Sequence, residues 1–78
     1  MQFTPKQARR LADYTQREMA EILGIYRQTY MKMEANPEEF TVKQAYAFAD
    51  AVGLPYDQIK FFSAENQQSV GKPEQKGR

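Results

Sequence analysis

The sequence predicts a compact all-α domain of five helices, and three observations predict it. Threonine stands three residues ahead of Gln or Glu at three places: Thr4-Pro5-Lys6-Gln7, Thr15-Gln16-Arg17-Glu18 and Thr41-Val42-Lys43-Gln44. Apolar residues recur at spacings of three and four, and no segment alternates with the two-residue period of a strand. The chain has 78 residues, with one domain expected over residues 1–63. A domain near this size buries only about 60% of the surface its unfolded chain exposes, so every apolar helix face is needed.

In each Thr motif the hydroxyl can accept from a free amide of the first turn while Gln or Glu bonds back to the cap. The motifs therefore start helices one, two and four, with Pro5 a favoured first-turn residue. Phe3, Tyr14 and Phe40 precede the caps as hydrophobic staples. Ala8, Leu11 and Ala12 form the stripe of helix one, and Met19, Ala20, Ile22 and Leu23 that of helix two. Tyr30 and Met33 serve helix three; Val42, Ala45, Ala49 and Val52 serve helix four. Gly24 and Gly53 sit where helix stops want positive φ, and Pro37 breaks the chain after Asn36. A short fifth helix after Pro55 would offer Tyr56, Ile59 and Phe62 to the core. Adjacent Phe61 and Phe62 cannot both face inward from one helix. One of them is expected to cover a dimer interface, for which Ile59, Phe61 and Phe62 are the candidate residues. Residues 64–78, rich in Gln, Asn, Gly, Lys and Pro, read as a disordered, mildly basic tail.

Composition removes several functions. Without cysteine there is no disulfide framework, thiol nucleophile or thiolate metal site, and without histidine the commonest general base and metal ligand is missing. Glu38 and Glu39 have no nucleophile or glycine-rich cradle near them in sequence, so no catalytic residue, metal ligand or cofactor is assigned. No segment approaches a membrane span, and a cytoplasmic, nucleoid-associated protein is expected. The net charge of +1 hides a polarity. Residues 1–34 carry six Lys/Arg against four acids; residues 35–65 carry two against five. The basic half permits a polyanion partner without demanding one.

That half also holds "TQREMAEILGIYRQTYMKME", a helix that stops at Gly24 and restarts at once with hydrogen-bonding side chains. Two helices joined by a turn of about four residues make a helix-turn-helix. Its demands are met: Ala20 is small where the helices cross, Gly24 can take the left-handed turn, and Met19 and Ile25 fill the inside. The outward face of helix three then shows Arg27, Gln28, Met31 and Lys32, as reading a major groove requires.

From Phe3 to about Phe62 the chain resembles the Cro and phage-repressor, or XRE-type, helix-turn-helix family. The residues that carry the likeness are "TQREMAEILGIYRQTYMKMEANP" and "FTVKQAYAFADAVGLPYDQI", with Gln16, Met19-Ala20, Gly24 and Glu34 in fixed register. The resemblance implies a five-helix domain that binds double-stranded operator DNA, usually as a dimer. By position it places Tyr26, Arg27, Gln28 and Lys32, of helix three over about residues 26–35, toward base edges. Gln16, Arg17, Thr29, Asn36 and Lys43 go to the DNA backbone. Arg9 and Glu34 become a partly buried ion pair, structural like Ala20 and Gly24. Chemistry agrees for the base readers, since arginine suits the acceptors of guanine and glutamine the edge of adenine.

Three positions depart from the family's habit. Tyr26 replaces a Ser or Thr cap, leaving it to stack on a sugar, meet a thymine methyl or pack. Tyr30 replaces an aliphatic residue, so its hydroxyl needs a buried partner. Glu38 and Glu39 stand where relatives often carry phosphate-clamping cations, which should weaken binding and flatten its salt dependence unless Lys6, Arg10 and Lys43 compensate.

The leading expectation is a sequence-specific regulator of transcription resembling a prophage Cro-like repressor, a homodimer at least on DNA. The alternative is a protein-interaction module on the same fold, an antirepressor or regulatory subunit. It would use the acidic loop, Met31 and Phe61 toward a protein partner.

Overall fold

The computed structural model describes residues 2–61. The expected tail and Phe62, one of the three expected dimer contacts, lie outside those residues. Four helices follow in order: α1 (Pro5–Leu11), α2 (Gln16–Leu23), α3 (Arg27–Ala35) and α4 (Val42–Val52). Single 3-10 turns lie at Pro37–Glu39 and Tyr56–Gln58.

The three caps close as their chemistry requires. Thr4, Thr15 and Thr41 accept from the amides of Gln7, Glu18 and Gln44 at 3.1, 3.0 and 3.0 Å. The reciprocal side chains accept from the threonine amides at 2.9, 2.8 and 3.0 Å. At its end α2 turns left-handed at Gly24, φ 71°. The amides of Gly24 and Ile25 then close on the carbonyls of Glu21 and Ala20, leaving α3 free to start in a new direction. Gly53 ends α4 in the same way, with φ 75°.

The core gathers Ala8, Met19, Ala20, Tyr30, Met33, Phe40, Ala45, Phe48, Ala49, Ile59 and Phe61. Phe40 is its hub, with ring centroids 6.4 Å from Tyr30, 5.4 Å from Phe48 and 4.9 Å from Phe61. Two expected stripes are displaced. In α1 the buried face is Pro5, Ala8 and Arg9, while Leu11 is exposed. In α4 it is Ala45, Phe48 and Ala49, while Val42 is exposed. Ile22 is also exposed.

Among the described residues the expected fifth helix is not formed. The segment after Pro55 makes one 3-10 turn and then runs extended, because the chain near Phe3 supplies it with backbone partners. The Phe3 amide donates to Gln58 at 2.8 Å and the Lys60 amide donates to Phe3 at 2.7 Å, forming an isolated parallel bridge between Phe3 and Ile59. In extended chain alternate residues face one side. Ile59 and Phe61 therefore both point inward, at 3% and 2% exposure, with Lys60 outside between them. Both residues expected at a dimer surface are thus buried in the core of the single chain.

Candidate nucleic-acid interface

α3 owes its orientation to what it buries. Tyr30, Met33 and the carboxylate of Glu34 point inward, so the positions between them point out. Arg27, Gln28, Thr29, Met31, Lys32 and Asn36 are all exposed there. Tyr26, the N-cap residue, is 84% exposed and makes no side-chain cap.

Glu34 is the point where three helices are tied. Its carboxylate accepts from Arg9 Nε at 2.7 Å and Nη2 at 3.2 Å, reaching α1. It accepts from Gln16 Nε2 at 2.9 Å, reaching α2, and from the Tyr30 hydroxyl at 2.6 Å within α3. The remaining guanidinium nitrogen, Arg9 Nη1, donates to the Tyr14 carbonyl at 2.7 Å. The carboxylate side chain is only 4% exposed. A buried ion pair holds only when its remaining donors and acceptors are also satisfied, and here they are.

The protonation equilibria follow that geometry. Burial pushes the Glu34 carboxyl up, but hydrogen bonds from Arg9, Tyr30 and Gln16, with the arginine charge, outweigh it and leave it below 4.5. The hydrogen bond to Glu34 holds the Arg9 guanidinium more firmly protonated, against burial. Burial, then the bond to the Glu34 carboxylate, pushes the Tyr30 hydroxyl well above the ordinary phenol range. The hub is thus a fixed charge pair at neutral pH.

Beside the hub lies an open groove of about 760 Å³ lined by Lys6, Arg9, Arg10, Thr15, Gln16, Arg17 and Arg27. Lys6 and Arg10 stand one turn apart on α1, Arg17 on the first turn of α2, and Arg27 on the first of α3. All four are exposed, and no acidic side chain lines the groove. The start of α2 also lines it, and helix starts offer free amides to anions. Gln16 gives one amide hydrogen to Glu34, which fixes the side chain and leaves its second hydrogen available.

The groove brings together Gln16, Arg17 and Arg27 of the sequence-derived set. It does not include Lys43, which is on the outer face of α4, or Asn36 at the far end of α3. The Arg9–Glu34 pair is present. Sequence reasoning missed that Gln16 and Tyr30 complete it. For Tyr30 a signal existed, since residues four apart on a helix share a face. For Gln16, eighteen positions from Glu34, there was none.

Among the described residues no cluster of acidic side chains could hold a metal ion, and no helix is long and apolar enough to cross a membrane. The family described as helix-turn-helix matches residues 6–59. Neither a curated protein nor a solved structure gives a significant match.

Proposed function

The chain belongs to the XRE-type, Cro-like helix-turn-helix family of DNA-binding transcription regulators, and from that premise we propose that it is a sequence-specific regulator resembling a prophage Cro-like repressor. α3 enters the major groove, with Arg27, Gln28 and Lys32 at base edges and Tyr26 beside them. Backbone phosphates lie along the groove at Lys6, Arg10, Gln16 and Arg17, while Thr29 and Asn36 meet the backbone along α3.

The observation that carries this reading is the Glu34 hub. It joins the base-reading helix to α1 and α2, which hold Lys6, Arg10 and Arg17 of the groove, through three direct hydrogen bonds. Phosphate contacts can then position α3, which is how sequence-blind contacts support sequence reading. The interaction-module reading loses one of its surfaces, because Phe61 is buried.

Selection from random duplexes, followed by titration of the winner across salt, tests the proposal. An enriched site whose affinity falls steeply with salt is expected. Binding without sequence preference would overturn the base-reading assignment.

A further inference from the structure

Met31 is an apolar side chain in a polar setting. Met19 and Met33 lie in the core at 0% and 3% exposure, whereas Met31 is 39% exposed on the outward side of α3. Single exposed apolar residues are ordinary on protein surfaces, so exposure by itself assigns nothing. The position does. At about 3.6 residues per turn, Met31 falls between Arg27 and Gln28 around the helix axis, with Lys32 beyond them. Measured from the buried positions Tyr30, Met33 and Glu34, it stands nearer the middle of the outward face than Arg27 does. Whatever meets the three polar residues therefore meets Met31 as well.

The chemistry of that neighbourhood indicates what Met31 touches. The major-groove edges of the base pairs present hydrogen-bond donors and acceptors and one projecting apolar group, the C5 methyl of thymine. Arg27, Gln28 and Lys32 bring polar ends to such edges, and Met31 brings the apolar counterpart to the methyl. An unbranched, polarizable side chain can settle on a methyl without a fixed geometry. The cores of protein interfaces are by contrast depleted of lysine, and Met31 stands between Arg27 and Lys32. Along α3 it lies four residues, about 6 Å, beyond Arg27. That is under two base-pair steps of about 3.4 Å each, so with α3 lying along the groove the two residues address neighbouring base pairs.

We propose that Met31 is a specificity-determining residue that packs on the C5 methyl of one operator thymine, within about two base pairs of the base that Arg27 reads. The proposal rests on the DNA reading above and adds an apolar contact to its polar ones. It also takes from the interaction-module reading the second of its expected surfaces.

Deoxyuridine in place of thymine removes the methyl and leaves the pairing edge intact, which makes the test direct. The site selected from random duplexes is remade with each thymine of one half-site replaced in turn, and affinities are measured by anisotropy at one salt concentration. The parent chain should lose about fourfold at one position, the scale of one buried methyl-sized group. That position should lie beside the one whose preference relaxes in Arg27→Ala. Met31→Ala should bind the thymine duplex more weakly and be indifferent to the methyl at that position alone, while Met31→Leu, which keeps apolar bulk, should retain the effect. Urea unfolding of both variants checks the fold, which an exposed position should leave nearly unchanged. A site with no methyl-sensitive thymine overturns the assignment, as does a methyl effect that survives Met31→Ala, which is what a contact from Tyr26 would give. In either case a selected site with steep salt dependence leaves the DNA reading standing. Failure to select any site removes both.

Discussion

The Tyr30 hydroxyl donates to the Glu34 carboxylate at 2.6 Å across a single turn of α3, inside the domain. A large ring in the core and a buried charge thus meet one another's needs: the ring's polar atom finds an acceptor, and the carboxylate gains a third donor residue beside Arg9 and Gln16.

Tyr30→Phe keeps the ring and removes that donor. Hydrogen bonds to charged groups contribute roughly 1.5–3 kcal/mol, and a loss of stability in that range is expected in urea unfolding. A change below about 0.5 kcal/mol, the scale of ordinary surface substitutions, would show that the bond matters little.

Glu34→Ala should cost more, about 3–5 kcal/mol, because it leaves the buried Arg9 guanidinium without its counter-charge. Adding Arg9→Met should then recover part of that loss. Purely additive losses in the double-mutant cycle would argue against coupling between the two residues.

Acid should weaken the domain through the same carboxyl. Glu34 in the folded chain lies below 4.5, so the unfolded chain takes up its proton first as pH falls. Its contribution is fully present above the unfolded value and is lost as pH drops through the lower folded value. Denaturation midpoints measured from neutrality into the acid range should fall less steeply for Glu34→Gln than for the parent. Parallel curves would exclude Glu34 as the titrating group.

On DNA, Arg27→Ala should lose roughly 1–3 kcal/mol of discrimination at one base position. Lys6→Ala and Arg10→Ala should instead weaken all sequences alike and reduce the salt slope by about one each. An altered sequence preference in either α1 variant would contradict its assignment to phosphate.

Gly24→Ala isolates a purely conformational cost. A Cβ at Gly24 would meet nothing within 4 Å, so only the positive φ of 71° resists it. A left-handed residue with a Cβ costs about 1–2 kcal/mol, and thermal unfolding should show that loss with the native fold retained. Gly24→Asn should cost less, since asparagine tolerates this conformation better.

Helix starts were legible because their signals are local. Each Thr carries its partner three residues on, so α1, α2 and α4 begin where the capping boxes place them. The turn at Gly24 was legible for the same reason. What depended on distant partners was not. Arg9 faces inward only because Glu34 waits twenty-five residues away, which turns Leu11 outward against its apolar character. The segment around Ile59 is extended only because Phe3 lies beside it, and backbone pairing between two short stretches leaves no side-chain pattern to read. In the interface the outward face of α3 followed from helical periodicity, whereas the groove required α1, α2 and α3 to be assembled first.

The bridge between Phe3 and Ile59 bears on how the domain opens. Most of its packing joins neighbours along the chain, the arrangement that lets helical domains fold quickly. This pairing joins residues near the two ends of the described chain, through the two backbone bonds made by the Phe3 and Lys60 amides, with a third bond beside them from Gln2 Nε2 to the Asp57 carbonyl. It acts as a latch: releasing it uncovers Ile59 and Phe61 while the Glu34 hub still holds the three helices. The domain should therefore open in two tiers, the Lys60 amide exchanging with solvent through release of the latch and the α3 amides only through global unfolding. The apolar surface uncovered in the first tier is where a partly open copy would first become prone to aggregate.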